Sequence, residues 1–595
     1  MCGICGEIFI GNNSVSRESV IKMKHTMEKR GPDSHGIHQE DSIVFGHRRL
    51  KIIDLSDRSS QPMVDRELGL SMVFNGAIYN YPELREILKA KGYSFKSSGD
   101  TEVILKAYHA WGEGCVDRFN GMFAFAVYDN RDRSVFMARD RLGIKPLYYA
   151  KTESSILFAS SLPAILATGK VSKNLSVRAL HHYLTFHSVV PAPDTIVDSI
   201  KKVPPATCIK INSRGGMFEK PYWSLSFERD AQEDKYTFDD WKELVTQGFD
   251  RAVRHRLVAD VPVGVLLSGG LDSSLVVGLL ARSGQKDLKT FSIGFESVGG
   301  EKGDEFQYSD IIARHFATDH HKIEVDSKQV LPNMEQCVRA MSEPMVSHDC
   351  IGFFLLSREV AKHVKVVQSG QGADEIFGGY HWYPPMMDLD GQSTSLGVQA
   401  YREVFGDRTH QELMEMVSDA YRSRDFSSEF ISSHFSGPGA SSAIDRTLRM
   451  DTTVMLVDDP VKRVDNMTMA WSLEARVPFL DHEFVELAAK IPAIHKVGHG
   501  GKHILKEAAR DIIPHDVIDR PKGYFPVPAL KYIQGDYLDF VKDIVTSRKS
   551  RGRGIIEQSY IDTLLDAPEE HITPLRGSKL WQVALLEYWL QINDL

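Results

Sequence analysis

The stretch Val261-Pro-Val-Gly-Val-Leu-Leu-Ser-Gly-Gly-Leu-Asp-Ser-Ser274 decides the fold of the second half of this chain. Its apolar part, Val261 to Leu267, has the composition of a buried strand, and the apolar positions from Leu271 to Arg282 have helical spacing. The loop between them, Ser268 to Ser274, has glycines that let an anion approach closely, and it opens a helix N-terminus. This order of strand, loop and helix predicts a phosphate-binding loop, against the alternative of a serine-rich helix cap.

The same alternation of strands and helices continues along the chain. Lys289 to Phe295 and Lys365 to Gln368 have strand character, which predicts an α/β fold with a doubly wound parallel sheet and helices on both faces. A second loop, Ser369-Gly-Gln-Gly-Ala-Asp-Glu375, follows the last of these strands. Ligands gather beyond the carboxyl ends of such strands, so Asp374 is predicted to face Asp272 and to share Mg²⁺ with it. The alternative for the second loop is a helix cap with acidic first-turn residues.

The first two hundred residues have a different character, with short β-type runs separated by turn residues. The clearest runs are Ser42–Gly46, Leu70–Phe74, Met122–Tyr128 and Ser134–Ala138. Together with helical stretches such as Tyr81 to Lys91, they predict a strand-dominated sandwich with helices outside. A chain of 595 residues is expected to hold at least two domains, and the change in pattern predicts them at residues 2–220 and 235–595.

Composition excludes several classes of protein. The net charge of −9 argues against non-specific nucleic-acid or membrane binding. Six cysteines in so long a chain do not make a disulfide framework, which favours a reducing compartment. Without a signal peptide or an apolar stretch long enough to cross a membrane, we expect a cytoplasmic protein. The basic run Arg548 to Arg553 is interpreted as a solvated loop.

The chain begins Met1-Cys2-Gly3-Ile4-Cys5-Gly6, so removal of Met1 would make Cys2 the N-terminal residue. An α-amine beside the thiol can act as its base, and Cys2 is therefore a candidate nucleophile. Two alternatives are an incidental terminal residue and a CxxC metal or redox pair formed with Cys5. The other cysteines are scattered singly and offer no second pair for a zinc site.

Further motifs occur in both halves of the chain. Those of the first half are Arg30-Gly-Pro-Asp-Ser-His-Gly36, Gly46-His-Arg-Arg-Leu50, Asn75-Gly76, Ser98-Gly-Asp-Thr-Glu102, Asn120–Phe125 and Arg139–Pro146. Those of the second half are Phe291–Phe295, Val464–Met469, Leu473–Asp481, Gly501–Lys506 and Arg520–Tyr524. With Cys2 and the two loops, and over most of the chain, this set resembles the glutamine-dependent asparagine synthetase family. The family joins a class II glutamine amidotransferase domain of αββα Ntn-hydrolase fold to a synthetase domain of the ATP-pyrophosphatase type.

The resemblance implies an enzyme with two sites, of which the first hydrolyses L-glutamine. Cys2 would attack the side-chain amide, and Asn75 with the Gly76 N–H would stabilise the oxyanion. Arg49 would bind the glutamine carboxylate and Asp100 its ammonium group. The released ammonia would cross to the second site through an apolar tunnel, which the sequence does not locate.

At the second site ATP would activate a substrate carboxylate by adenylation, and ammonia would displace AMP. The resemblance places Leu267 and Ile293 at the adenosine. It places the phosphates at Ser268, Gly269, Gly270, Asp272, Ser273, Ser274, Ser369 and Gly370. Asp272 and Asp374 would hold Mg²⁺, and Lys522 would neutralise charge developing on the phosphates. A homodimer is the candidate oligomer.

The chain departs from the family pattern at two positions. Ala77 stands where the family has the glutamate of Asn-Gly-Glu, so one carboxylate near the glutamine ammonium is missing. Gln371 stands where the family has the glutamate of Ser-Gly-Glu-Gly, on the substrate side together with Glu375. Gln371 and the segment Tyr380-His-Trp-Tyr-Pro-Pro385 resemble the branch that amidates N-acetylglutaminylglutamine, an osmoprotectant dipeptide.

Three other functions compete with amidation of this dipeptide. They are synthesis of asparagine from aspartate, hydrolysis of amides by an Ntn enzyme without ATP, and a non-catalytic regulatory role. The intact Ser268 to Ser274 loop and Lys522 argue against the second, and the presence of Cys2, Asn75 and Asp272 argues against the third.

Overall fold

The computed structural model describes residues 2–11, 15–295, 304–521, 523 and 533–595. Its amino-terminal part contains two antiparallel sheets of six strands each. The strands of these sheets are β1 (Gly3–Phe9), β2 (Ser34–Glu40), β3 (Ile43–Arg49), β4 (Met63–Asp65), β5 (Leu70–Ile78), β6 (Gly121–Asp129), β7 (Ser134–Arg139), β8 (Tyr148–Lys151), β9 (Ser155–Ala159), β10 (Lys201–Lys202), β11 (Thr207–Ile211) and β12 (Met217–Pro221).

The two sheets pack face to face, and helices cover their outer faces. The strand orders are β10-β8-β9-β1-β3-β2 and β12-β11-β7-β6-β5-β4. Apolar side chains of both sheets, such as Phe45 and Val73, form the core between them. Helix α1 (Glu18–Thr26) packs on the first sheet, and α2 (Tyr81–Ala90) and α3 (Asp100–Trp111) pack on the second. The predicted αββα sandwich is confirmed.

The carboxy-terminal part is built on a five-stranded parallel sheet. Its strands are β13 (Val263–Leu266), β14 (Lys289–Phe295), β15 (Asp319–Val325), β16 (Val366–Gln368) and β17 (Glu474–Arg476). They lie in the order β15-β14-β13-β16-β17, and each neighbouring pair is parallel. The order reverses between β13 and β16, so the loops after these two strands diverge around a crevice where doubly wound sheets bind ligands. The predicted doubly wound sheet is confirmed.

The remaining helices connect the two parts and surround the parallel sheet. They are α4 (Leu162–Leu166), α5 (Val177–Thr185), α6 (Phe238–His255), α7 (Leu271–Arg282), α8 (Phe306–His315), α9 (Val330–Ala340), α10 (Asp349–Val360), α11 (Ala373–Phe377), α12 (Tyr383–Met387), α13 (Thr394–Phe405), α14 (His410–Met416), α15 (Phe426–Phe435), α16 (Ala443–Met450), α17 (Lys462–Met469), α18 (His482–Lys490), α19 (Ala493–Val497), α20 (His503–Ala509), α21 (His515–Ile518), α22 (Asp536–Val545), α23 (Arg548–Arg553), α24 (Gln558–Asp566) and α25 (Lys579–Ile592). Among the residues that the structure describes, no helix combines the length and apolar character that a membrane crossing requires.

Helix α23 corrects the interpretation of the basic run as a solvated loop. The hydroxyl of Ser547 accepts a hydrogen bond from the Ser550 N–H over 3.1 Å and caps the helix. Arg553 is largely buried, pairs with Glu587, and donates a hydrogen bond from Nη2 to the Leu595 carbonyl over 2.6 Å. The helix forms because its cap and these tertiary partners outweigh the mutual repulsion of its cations.

Buried ion pairs join the amino-terminal sandwich to the second domain. Asp465 of α17 lies 2.9 Å from Arg30 Nη1 and 3.4 Å from Lys145 Nζ, and all three side chains are largely buried. Lys202 Nζ lies 2.5 Å from a carboxylate oxygen of Asp458. These contacts hold the two domains together through charges that would be costly to bury singly.

Candidate active sites

A narrow cleft in the sandwich domain brings together most residues that the sequence assigns to glutamine. Cys2 lies directly before β1, and Arg49, Gly76, Ala77 and Asp100 line the same cleft. Residues from β3, β5 and α3 thus meet at one point, although they are far apart in the sequence.

Asn75 lies beside Cys2 with its amide oriented by a hydrogen bond. The backbone N–H of Cys2 donates to Asn75 Oδ1 over 3.0 Å. Asn75 Nδ2 is buried and has no acceptor among the residues described. Gly76 has φ of +154°, and a Cβ there would lie 2.0 Å from the Met122 carbonyl oxygen, so only glycine fits. The unsatisfied Nδ2 donor is the feature that a developing oxyanion requires.

Two further cleft residues carry opposite charges. Arg49 is held by its own loop, since its Nη1 donates to the Ser56 carbonyl over 2.8 Å and its Nη2 to the Asp54 carbonyl. Asp100 begins α3 and accepts a hydrogen bond from the Ile78 N–H over 3.1 Å. Burial raises the pKa of Asp100 to about 6. An anchored cation and a carboxylate are thus available for the two charged groups of an α-amino acid.

The second domain also contributes to this cleft, through β17. Glu474 and Arg476 line it, and Arg476 Nε donates to Glu474 Oε1 over 2.7 Å. Arg476 Nη1 is fixed by the carbonyls of Arg256 and Val258, at 2.9 and 2.8 Å. Burial alone would raise the pKa of Glu474, but the positive charge of the chain's N-terminus, followed by those of Arg476 and Lys145, lowers it to about 2. Glu474 is therefore a buried, ionised carboxylate at neutral pH.

The two cysteines of the amino-terminal motif lie in different environments. Cys2 lines the cleft, whereas Cys5 is fully buried in the core beneath α1, next to Val20 and Met23. Burial raises the pKa of the Cys2 thiol, and it raises the pKa of Cys5 to about 12. Because their offset of three residues along a strand directs them to opposite faces, they do not form a CxxC pair.

A second, larger cleft opens at the reversal point of the parallel sheet. It encloses about 980 Å³, the space at its open mouth included. The residues predicted to bind ATP that line it are Leu267, Ser268, Asp272, Ser273, Ile293, Ser369 and Gly370.

The two loops of this cleft touch each other. Ser273 Oγ lies 3.0 Å from Ser268 Oγ and accepts the Ser268 N–H over 3.2 Å, which closes the first loop on itself. A Cβ on Gly370 would lie 3.0 Å from both the Asp272 Cβ and the Ser273 nitrogen. The second loop therefore needs glycine at this position to approach the first.

Asp272 and Asp374 converge on one cation, the ammonium group of Lys502. Lys502 Nζ lies 2.7 Å from Asp272 Oδ2 and 2.9 Å from Asp374 Oδ2. Burial acts to lower the pKa of Lys502, but the two carboxylates raise it well above its usual range. Two carboxylates held this close suit Mg²⁺, a hard cation that prefers oxygen ligands, so the donor set fits the expected metal.

The far wall of the cleft is formed by Gln371, Glu375 and Tyr380. The Tyr380 hydroxyl donates to Glu375 Oε1 over 2.8 Å. Burial, followed by the charge of Asp374, raises the pKa of Glu375 to about 7. The Tyr380 ring stacks on Trp382 at 4.2 Å between centroids. Tyr380 thus faces the cleft, whereas Trp382 is buried behind it.

Comparison with known proteins decides the family. Residues 1–223 match the glutamine amidotransferase domain family, and residues 244–591 match the asparagine synthase family. The glutamine-hydrolysing asparagine synthetase 1 of Bacillus subtilis is 31% identical over 100% of this chain and 97% of its own length. The chain belongs to the asparagine synthase family. It is a ligase of the glutamine-hydrolysing amidotransferase type, in a family that uses ATP.

Two further relatives match nearly the whole chain. The glutamine-hydrolysing asparagine synthetase 2 of Oryza sativa is 28% identical over 96% of this chain and 80% of its own length. The amidase chry2 of Gibberella zeae is 27% identical over 95% of both chains. Relatives over nearly the whole chain thus carry both the name asparagine synthetase and the name amidase.

Three of the residues that were predicted to bind the phosphates do not line the cleft of this asparagine synthase family member. Gly269 is buried and Gly270 is half-buried in the same loop, and Ser274 is completely buried in α7. Lys522, also predicted for this site, lies outside the described residues.

Sequence reasoning assigned no role to Glu474, Arg476 or Lys502. All three lie in motifs that already carried the resemblance to the asparagine synthase family, namely Leu473–Asp481 and Gly501–Lys506. The motifs indicated the family but not the roles of these residues. Only the fold shows that β17 reaches the first cleft and that Lys502 lies between two aspartates.

Proposed function

We propose that this enzyme uses ammonia from L-glutamine to amidate a carboxylate substrate larger than aspartate, the acetylated dipeptide N-acetylglutaminylglutamine. The observation that carries the proposal is Gln371, which lines the ATP cleft together with Tyr380. A neutral amide at this position cannot attract the α-ammonium group of free aspartate, whereas a blocked amino group needs no acid there. The proposed catalytic units are residues 2–220 and 235–595.

In the first step, Cys2 acts as the nucleophile after removal of Met1. Its α-amine takes the thiol proton, the sulfur attacks the side-chain amide carbon of glutamine, and ammonia leaves as the thioester forms. Water then hydrolyses the thioester to glutamate. The buried Nδ2 of Asn75 and the Gly76 N–H would receive the oxyanion of each tetrahedral intermediate.

We assign glutamine binding to charges from both domains. Arg49 would bind the α-carboxylate, and Asp100 together with Glu474 would bind the α-ammonium group. Glu474 lines the same cleft as Ala77, the position at which the family pattern has a carboxylate that this chain lacks. An ionised carboxylate supplied by β17 would restore the missing charge and make glutamine binding depend on docking of the two domains.

In the second step, an oxygen of the substrate carboxylate attacks the α-phosphorus of ATP, and pyrophosphate leaves. Ser268, Ser273 and Ser369 would donate hydrogen bonds to the phosphates, and Leu267 and Ile293 would contact the adenosine. Asp272 and Asp374 would hold Mg²⁺, which when bound neutralises phosphate charge. Lys502, at 2.7 Å from Asp272, and Lys522 would add positive charge to that of the metal.

Ammonia then attacks the acyl carbon, AMP leaves, and the new amide must lose a proton. Glu375 is suited to accept this proton, because a pKa of about 7 matches the operating pH of a general base. Gln371 cannot take this role. The ammonia path between the clefts remains a prediction.

Synthesis of asparagine from aspartate is the second candidate function. Its support is the 31% identity to the Bacillus subtilis asparagine synthetase over the full chain. Mass spectrometry of reactions that contain aspartate or the acetylated dipeptide, each with glutamine or ammonium chloride as nitrogen donor, separates the two. Our proposal expects dipeptide amide and little asparagine, with no product of either kind when ATP is omitted.

The variant Cys2→Ala provides the matched control in the same assay. It should lose synthesis from glutamine and keep synthesis from ammonium chloride, because the two sites catalyse separate steps. Retention of glutamine-dependent synthesis by this variant would contradict the two-site mechanism. Asparagine as the main product would overturn the proposed substrate and leave the two-site mechanism standing.

A further inference from the structure

Three side chains from separate segments meet at a point that lines neither cleft. His181 comes from α5, His410 begins α14, and Asp425 caps the N-terminus of α15. His181 is buried, and the other two are half-buried, so that one side of the group is open to solvent. Among the described residues, this is the only group of three or more metal-ligating side chains whose donor atoms all lie within 4.8 Å of one another.

The distances between the donor atoms match those around a small metal ion. His181 Nε2 lies 3.2 Å from His410 Nδ1 and 3.7 Å from Asp425 Oδ1. Tetrahedral zinc binds nitrogen and oxygen ligands at about 2.0–2.2 Å, so its ligands lie about 3.3–3.5 Å from one another. The two distances from His181 are therefore within a few tenths of an ångström of those around zinc, and the third donor distance is at most 4.8 Å.

A second set of contacts orients the central histidine. His181 Nδ1 lies 3.2 Å from the Ser427 hydroxyl and 3.3 Å from the Thr185 hydroxyl. The Thr185 hydroxyl already donates to the His181 carbonyl over 2.7 Å, so it can only accept from the ring. With the Nδ1 proton directed to these hydroxyls, His181 Nε2 presents its lone pair to the group, as metal-ligating histidines do.

The carboxylate is oriented in the same way. Asp425 Oδ1 accepts the Ser428 N–H over 3.0 Å, while Oδ2 accepts the Ser428 hydroxyl and lies 3.3 Å from Arg402 Nη2. Arg402 and the Ser428 hydroxyl thus hold Oδ2, while Oδ1, which caps α15, also lies 3.7 Å from His181 Nε2.

We propose that His181, His410 and Asp425 bind one divalent transition-metal ion, zinc by the chemistry of its ligands, with water in the fourth position. Two imidazoles and one carboxylate favour zinc over Mg²⁺ or Ca²⁺, which prefer oxygen ligands. Helix α5 lies between β9 and β10 of the amidotransferase domain, whereas α14 and α15 belong to the second domain. The ion would therefore stabilise the contact between the two domains.

The experiment titrates metal-free full-length protein with zinc sulfate in millimolar Mg²⁺ and measures bound zinc by mass spectrometry. The two site variants are His410→Gln and Asp425→Asn. The asparagine in the second variant keeps an acceptor for the Ser428 N–H. The control is His499→Gln. His499 forms a pair with His503 at 4.2 Å between ring centroids, and this pair has no third metal ligand within reach among the described residues. Glutamine hydrolysis, measured on each protein, reports that the fold is intact.

We expect the wild type and His499→Gln to bind one more zinc ion per chain than either site variant. Zinc should also raise the melting temperature of the first two proteins and not of the variants. Cobalt in place of zinc should give the visible absorption of a tetrahedral site in the wild type. Neither of the two site variants should show this absorption. Equal zinc binding and equal melting temperatures in all four proteins would overturn the proposal and leave a hydrogen-bonded polar group.

Discussion

The backbone N–H of Ser369 donates a hydrogen bond to the carbonyl oxygen of Arg476 over 2.9 Å. Ser369 lines the ATP cleft, and Arg476 lines the glutamine cleft. Strand β17 therefore contacts one site with its side chains and the loop of the other site with its backbone. One hydrogen bond thus joins the loop of one cleft to the strand that lines the other.

Replacement of Asn75 by alanine should remove an oxyanion donor without removing the nucleophile. We expect kcat for glutamine hydrolysis to fall about 100–1000-fold, with a small change in KM, since the donor acts mainly in the transition state. Glutaminase kinetics measure both constants. Ammonia-dependent synthesis serves as the control and should be unchanged. A rise in KM alone would show that Asn75 only binds substrate.

The variant Glu474→Gln tests whether the second domain contributes a carboxylate to glutamine binding. Glutamine keeps an acceptor for Arg476 Nε, now 2.7 Å from Glu474 Oε1, so the strand should stay in place while the charge is lost. We expect KM for glutamine to rise about tenfold, the effect of losing about 1.4 kcal/mol of charge interaction. Ammonia-dependent synthesis should keep its rate.

A second substitution sharpens this test. Adding Ala77→Glu to Glu474→Gln returns a carboxylate to the cleft from the amidotransferase side and should restore much of the lost affinity. An unchanged KM in the single variant, or a loss of ammonia-dependent synthesis equal to the loss with glutamine, would show that Glu474 has only a structural role.

Glutamine binding should weaken in acid because of Asp100. Its pKa of about 6 is above the ordinary aspartate value, so the carboxylate is charged above pH 6 and neutral below it. Glu474, with a pKa of about 2, stays charged throughout. Calorimetry on Cys2→Ala, which binds without turnover, should show the Kd for glutamine rising about tenfold between pH 7 and pH 5. A flat profile would contradict the role of Asp100, and Asp100→Asn should be flat.

The buried ion pairs of Asp465 should matter more for stability than any exposed pair. Asp465→Ala leaves Arg30 and Lys145 as buried, uncompensated cations, which should lower the free energy of unfolding by about 3–5 kcal/mol. Asp57→Ala is the control, since Asp57 pairs with Lys51 while 87% exposed, and solvent screening should make its loss far less destabilising. Denaturant unfolding compares the two variants, and equal midpoints would contradict the prediction.

Local patterns were sufficient for much of the fold. The helix predicted from Leu271 to Arg282 and the strand from Lys289 to Phe295 both have the predicted bounds, because apolar periodicity and a glycine loop define them within a few residues. The loop predicted for the basic run Arg548 to Arg553 was wrong. This segment forms a helix, and the helix depends on contacts with Glu587 and Leu595. Contacts of this kind have no local signal.

Of the site residues, too, only some could be predicted from the sequence. Asp272 and Asp374 follow strands of one parallel sheet, so their convergence could be predicted from topology. The ammonium of Lys502 between them, and Glu474 in the glutamine cleft, depend on packing between segments more than 100 residues apart in sequence. The phosphate contact of Ser274 stays a prediction, because its motif indicates that contact and its side chain is buried in α7.

The identity of the amidated carboxylate is the central claim, and ATP–pyrophosphate exchange tests it most directly, because exchange needs only activation of the substrate. In the presence of N-acetylglutaminylglutamine, the wild-type enzyme should exchange label between pyrophosphate and ATP. With aspartate at equal concentration the exchange rate should be at least tenfold lower, and Gln371→Glu should reduce the ratio between the two rates. Faster exchange with aspartate than with the dipeptide in the wild type would contradict the proposed substrate.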